Sequence, residues 1–273
     1  MEQKKIVIEP QAGTGIRLQE LWEYRELFYF FTWRDIKVKY KQTSLGIIWA
    51  VIQPLMLMLL FTFVFSKNLK FYNGPIRYEI FVLAGLILWG LFQSGVSHAA
   101  ESIIQQSGII KKIYFPRLII PVSSLLVSFF DFIIAFVLFI VFCFVYQQPI
   151  MWQAIIYFPA AVLLCLMASF GVGTLLSALT VKFRDFRYAL PFLLQFLFFA
   201  SAIVYPLQTI KQPWLQTILS FNPVNGAIAL FRGGLGEPIN EQAVIWSLVS
   251  TLFFCIAGYF YFRKTEAFFA DIA

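Results

Sequence analysis

Trp33-Arg34-Asp35-Ile36-Lys37-Val38-Lys39-Tyr40-Lys41 runs with almost no spacer into Leu45-Gly46-Ile47-Ile48-Trp49-Ala50-Val51-Ile52-Gln53-Pro54. A basic, aromatic, amphipathic segment thus opens onto a long apolar run. Cations beside a span mark the cytoplasmic face. The junction therefore decides both the class of fold and the direction in which it points.

Composition agrees with that reading. The chain has 273 residues and is 60% hydrophobic, with a mean hydropathy of +0.78. Soluble domains sit near ~45–50% apolar, so a polytopic membrane protein is expected. No cleavable signal peptide is expected, because residues 1–41 are polar or amphipathic and lack an apolar core region. Cys143, Cys165 and Cys255 all fall in apolar runs without metal spacing, which makes them packing or lipid-facing residues. The net charge of +7 sits beside spans, which fits anionic lipid better than nucleic acid.

A span needs ~20 apolar residues. Six stretches qualify: Leu45–Phe65, Ile80–Ser97, Ile119–Tyr146, Ile155–Val181, Tyr188–Tyr205 and Val244–Phe262. None shows the alternation of a membrane barrel, so the expected fold is all-α. With the first segment inside, 16 cations fall on the inner side and 5 on the outer side, which puts both termini in the cytoplasm. The expected organisation is a cytoplasmic segment over residues 1–44, a six-span domain over 45–262 and a short tail over 263–273.

Leu18 to Tyr40 reads as an interfacial amphipathic helix, with a stripe broad enough that part of it can pack on another helix. Pro206 to Glu241 contains two apolar pieces of ~10 residues, each too short to cross. Asn222-Pro223-Val224-Asn225-Gly226 between them is a turn signal. A re-entrant helical hairpin on the outer side is expected, with a plain surface loop as the other reading.

Chemistry-bearing patterns are sparse. No phosphate loop occurs, and Gly13-Thr14-Gly15 is an isolated fragment, so ATP binding by that route is excluded. There is no metal-binding motif, no close carboxylate pair and no catalytic residue to name. His98, the single histidine, reads as a hydrogen-bonded interfacial residue rather than a catalyst. Asp131 lies well inside the third span, where a carboxylate must face protein or water. It is either a satisfied structural residue or a gating contact. The structural reading weighs more, because a proton-coupled carrier would show more intramembrane charge. Gly108-Ile109-Ile110-Lys111-Lys112-Ile113-Tyr114-Phe115-Pro116-Arg117 reads equally as a topogenic loop on anionic lipid or as a helix docked in a partner's groove. Aromatics suit stacking on sugar faces, yet lipid-facing filler explains most of them.

The opening stretch from Trp33 to Trp49 with Pro54-Leu55 resembles the type-2 ABC transporter permeases that export polysaccharide: O-antigen, capsule and wall teichoic acid. The resemblance continues through Tyr114-Phe115-Pro116-Arg117-Leu118-Ile119-Ile120-Pro121, Asp131-Phe132, Phe183-Arg184-Asp185, Leu190-Pro191, Tyr205-Pro206, Phe221-Asn222-Pro223-Val224 and Phe231-Arg232. It covers nearly the whole chain in order. It implies a homodimer of six-span subunits in a bacterial inner or plasma membrane, with two separate ATPase subunits at the cytoplasmic face. MgATP then belongs to the partner, and this chain carries no cofactor.

The resemblance tips the loop holding Lys111, Lys112, Ile113, Tyr114, Phe115 and Arg117 toward a coupling helix. A second ATPase contact is implied at Lys182, Arg184, Asp185 and Arg187. The hairpin with Tyr205, Pro206, Trp214, Asn222, Pro223 and Arg232 becomes an outer gate. The pyrophosphate of an undecaprenyl-linked polysaccharide would be drawn to Arg25, Arg34, Lys37, Lys39 and Lys41 on the inner face. Three other classes stay open: a type-2 permease for a drug or small lipid, a polyprenyl-carrier membrane enzyme, and an ATP-independent channel or flippase. An acidic metal cluster would mark the enzyme, and the acidic residues here are scattered.

Overall fold

The computed structural model describes residues 22–41, 46–68, 72, 74–266 and 269. Leu18 and Leu21 of the expected amphipathic helix, Leu45 at the expected start of the first span, and part of the tail lie outside the described residues. Within them the chain is helical and has no strand. The elements are α1 (Arg25–Lys41), α2 (Ile48–Phe61, continued as a π-helix over Thr62–Asn68), α3 (Tyr78–Gln105), α4 (Ser107–Ile110), α5 (Ile119–Val145), α6 (Ala154–Lys182) and α7 (Asp185–Ala200). A 3-10 turn, Leu207–Thr209, then leads to α8 (Pro213–Ser220), α9 (Pro223–Gly233) and α10 (Glu241–Thr265).

Five runs are long and apolar enough to cross a membrane: Ile48–Phe65, α3, α5, α6 and α10. They coincide with the expected first, second, third, fourth and sixth spans. The second runs on to Gln105, about two turns beyond Ser97. The expected fifth span, Tyr188–Tyr205, overlaps a shorter helix that starts three residues earlier. α7 has 16 residues, or ~24 Å of rise, against a hydrocarbon core of ~30 Å. It stops at Ala200 because the peptide groups that follow bond to side chains instead. Asn225 Oδ1 accepts from Ala202 N at 2.7 Å, and Arg232 takes the carbonyls of Ala202 and Ile203.

α3 is the hub, packed against α2, α5, α6 and α9. It is buried almost all round, with Ile80, Phe81, Leu83, Leu88, Phe92 and Val96 sealed from solvent. Small residues on α3 permit this. A Cβ at Gly95 would stand 3.0 Å from Leu125 and 3.1 Å from Ser169, on two different neighbours. α2 is the opposite case, with Met58 as its one buried residue.

The end of the bundle that carries the basic loops has its own core. Phe31 of α1, Ile103, Ile110, Phe115, Ile119 and Phe262 are all sealed there. The Phe31 ring meets Phe115 at 5.8 Å, and nine residues on the Tyr40 ring meets Phe130 at 5.8 Å. α1 therefore runs alongside the first half of α5. Its broad apolar stripe divides: Tyr24, Leu27, Phe28 and Phe31 pack inward, while Trp22, Tyr29, Phe30 and Trp33 stay exposed.

Candidate functional site

The two ends of the bundle carry different chemistry, and the basic end holds a cavity whose largely apolar lining includes a charged and polar corner. α1 brings Lys39 and Tyr40 onto α5 at Asp131, which lies ~18 Å along that helix from Ile119. Lys39 Nζ donates to Asp131 Oδ2 at 2.5 Å, and Tyr40 Oη donates to Asp131 Oδ1. Both carboxylate oxygens are thus occupied by donors from α1. Burial, then the bond to Asp131, pushes the Tyr40 phenol above its ordinary pKa, so it remains a protonated donor. His98 Nδ1 lies 3.1 Å from Ser128 Oγ, tying α3 to α5 beside this group.

These residues line a cavity of about 380 Å³ between α1, α2, α3 and α5, together with Trp49, Gln53, Gln93, Ser94 and Ser97. A second cavity of about 440 Å³ lies between α2, α3 and α7. Gln53, Leu57, Trp89, Gln93 and Ser97 border both, so the two flank the α2–α3 contact. Arg187 Nε at 3.6 Å from Glu101 Oε1 borders the second cavity and joins the start of α7 to the last turns of α3. Among the described residues no cluster of three metal-ligating side chains occurs.

The five cations expected to meet the pyrophosphate, Arg25, Arg34, Lys37, Lys39 and Lys41, are not equivalent. Arg34 forms an ion pair with Asp35 at 2.7 Å and lies over the Phe31 ring. Lys39 is paired with Asp131. Arg25, Lys37 and Lys41 are exposed, Arg25 resting over Trp22. The Lys39–Asp131 pair has a measurable consequence. A double-mutant cycle of Lys39→Met and Asp131→Leu, followed by unfolding in detergent, should give a coupling of about 1 kcal/mol. The figure is held low because the Lys39 side chain is 39% exposed. A coupling indistinguishable from zero would show that the pair does not hold α1 to α5.

The loop between α3 and α5 forms only one helical turn, α4, before Lys111–Pro116 turns back. Lys111, Lys112, Ile113 and Tyr114 are exposed. Phe115 and Arg117 behave differently. Phe115 is sealed against Phe31. Arg117 donates from its backbone N to Glu266 Oε1 at 3.1 Å and from its guanidinium to the Glu266 carbonyl. Glu266 is also held by Arg263 at 2.8 Å. At the α6–α7 turn, Lys182, Arg184, Asp185 and Arg187 are all exposed.

The opposite end is a polar knot around the break after α7. Asn222 caps α9, accepting from Val224 N at 3.1 Å, with Pro223 at the first helical position. Its amide donates to Ser201 Oγ at 2.8 Å. Arg232 is 3% exposed and donates to the carbonyls of Phe81, Ala202 and Ile203 at 2.7–3.2 Å. Its guanidinium carbon stands 3.2 Å from the Phe81 ring centroid. Ser247 of α10 donates to Asn222 O at 2.7 Å and accepts from Gly226 N at 2.7 Å. Tyr205 Oη donates to Phe199 O at 3.0 Å. Pro206 is half-buried, and Trp214 is 64% exposed, away from the knot. Ser201 and Ser247 of this knot carry no signal in the sequence. Asn225 does, as part of the Asn-Pro-x-Asn-Gly stretch.

Residues 26–236 match the family model described as ABC-2 type transporter. That span takes in both cavities, both basic loops and the hairpin. The chain is similar to an O-antigen export system permease protein, RfbA, of Myxococcus xanthus, at 28% identity over 258 residues. The match covers 93% of this chain and 98% of that protein. An O-antigen export system permease protein RfbA of Klebsiella pneumoniae is 27% identical over 248 residues, covering 90% and 95%. A polysialic acid transport protein, KpsM, of Escherichia coli is 25% identical over 240 residues, covering 83% and 89%.

Proposed function

The chain belongs to the ABC-2 type transporter family, and on that premise we propose that it is the membrane-spanning permease subunit of an ATP-driven exporter of lipid-linked polysaccharide. The observation that carries this reading is similarity to polysaccharide export proteins over nearly the full length of both chains. The protein catalyses no covalent step. MgATP is bound and hydrolysed on two separate ATPase subunits. The permease is a homodimer in a bacterial inner or plasma membrane, with six spans, α7 being the short fifth, and with both termini cytoplasmic.

In this reading the exposed side chains Lys111, Lys112, Ile113 and Tyr114, with Lys182, Arg184, Asp185 and Arg187, receive the ATPases. Their closure on ATP pushes the two inner loops, and the Glu101–Arg187 pair ties the end of α3, which enters the first loop, to the start of α7, which leaves the second. Phe115 passes that push to Phe31 of α1, and Arg117 passes it to Glu266 after α10. α1 lies beside the site where a lipid-linked glycan is admitted. The exposed cations Arg25, Lys37 and Lys41 draw in its pyrophosphate and also meet anionic lipid. The α8–α9 hairpin is re-entrant and gates the outer exit, with Asn222, Pro223 and Arg232 at its root and Trp214 at its surface.

The test is reconstitution with the partner ATPase in proteoliposomes, reading ATP-dependent movement of a polyprenyl-linked glycan. Movement should stop with a hydrolysis-dead ATPase. Movement that persists, or vigorous ATP hydrolysis by this chain alone, contradicts the reading.

A further inference from the structure

We infer that the 380 Å³ cavity at the basic end is a subsite for an uncharged, polyhydroxylated ring, with Asp131 as the residue that denies it to anions. The inference rests on the reading above, of which it specifies one site.

Charge comes first. Among the described residues lining the cavity, the charged groups are Lys39 and Asp131, at 2.5 Å from one another. Lys39 is thus neutralised by a carboxylate whose second oxygen is held by Tyr40. An anion that enters meets Asp131 as well as Lys39. To bind Lys39 it must displace the carboxylate, which is then left partly buried with Tyr40 as its donor and no cation. The cavity repels what a lone lysine would attract. The pyrophosphate of a lipid carrier belongs instead with the exposed cations of α1.

The polar part of the rest of the lining fits hydroxyls, and the remainder, with Leu57, Leu86, Leu91 and Phe132, is apolar. Gln53, Gln93, Ser94 and Ser97 supply donors and acceptors on two helices. Gln93 Oε1 is taken by Trp89 Nε1 at 2.7 Å, which leaves its amide hydrogens as donors. Ser94 Oγ is buried without a hydrogen-bond partner, a condition native structures relieve with a ligand or a water. Trp49 is 56% exposed and borders the same space, offering an indole face to the C–H face of a ring. The volume falls in the range of small-ligand sites. Neutral charge, paired donors and acceptors, and an aromatic wall together select a sugar ring over a phosphate.

The experiment uses the full chain in phosphatidylcholine nanodiscs. Tryptophan fluorescence is followed during titration with a panel of neutral mono- and disaccharides and, at constant ionic strength, with inorganic pyrophosphate. At least one neutral sugar should give a saturable change that Trp49→Phe diminishes, at an affinity tenfold or more above pyrophosphate. Asp131→Asn should raise pyrophosphate affinity at least tenfold. Ser94→Ala, a small change that spares folding, should weaken the sugar at least threefold and leave pyrophosphate unchanged. The inference is overturned if no sugar saturates, if pyrophosphate binds the wild type as well as sugar does, or if Ser94→Ala leaves the sugar affinity unchanged. ATP-dependent glycan export that continues in proteoliposomes alongside any of these results leaves the permease reading standing and removes only the subsite.

Discussion

Arg232→Ala should destabilise the protein by about 3–5 kcal/mol and leave little folded material at 37 °C. Arg232 is a single side chain serving three backbone carbonyls, those of Phe81, Ala202 and Ile203. Each was freed from helix bonding by the end of α7 or lies on the crowded first turns of α3. Without the guanidinium the Ala202 and Ile203 carbonyls become buried acceptors with no donor, at ~1–3 kcal/mol each, and the Phe81 carbonyl is left with its bond inside α3 alone. The ring contact with Phe81 is lost as well. Arg232→Lys separates charge from geometry. An ammonium is a point donor that cannot span three carbonyls and lie flat on a ring, so it should recover less than half of the loss. The measurement is unfolding of the purified protein in mixed micelles, with size-exclusion profiles as a check. If alanine costs under 1 kcal/mol, or lysine restores full stability, the knot is not what holds the hairpin to α3.

Gly171→Leu should be nearly as severe, at ~3 kcal/mol or more, through overpacking. α6 crosses α10 at Gly171 and Gly258. A Cβ at 171 would stand 2.5 Å from Cys255 N and 2.6 Å from Phe254 C. At 258 it would stand 2.3 Å from Gly171 O. These are backbone atoms, so no side-chain rotation relieves them, and the two helices must part. Small residues at such crossings let apolar helices approach where lipid supplies no hydrophobic drive. Gly90 is the internal control, since nothing lies within 4 Å of its Cβ position. Gly90→Ala should be neutral or stabilise by ~0.5–1 kcal/mol. Equal effects at 171 and 90 in the same unfolding assay would discard the packing argument.

Much of the fold was legible because lipid imposes length and polarity on a chain. The third and fourth spans were expected at Ile119–Tyr146 and Ile155–Val181 and are helices over Ile119–Val145 and Ala154–Lys182. The two short helices before α10 were legible for the same reason. Asn222-Pro223 was read as a turn and is the N-cap and first residue of α9. The end of α7 is less legible, because Phe196 to Val204 is apolar but for Ser201 and periodicity shows no stop there. The break is imposed from outside, by Asn225 and Arg232.

The basic junction shows the same division. Sequence put Lys39 among the inner cations and Asp131 inside a span, 92 positions apart, with nothing to join them. It also puts Phe115 and Tyr114 together in the coupling loop, whereas one is 3% exposed and the other 66%. Composition and spacing determine that this chain crosses a membrane, roughly where it does so, and which family motifs it carries, because those follow from one-dimensional hydropathy and order. Tertiary structure alone decides which faces of nearly uniform helices are buried, why α3 is sealed and α2 is not, and that Asp131 neutralises Lys39. The physical reason is that an apolar helix surface is compatible with lipid or protein alike. Only close packing at small residues, and the demand that each buried polar group find a partner, choose between them.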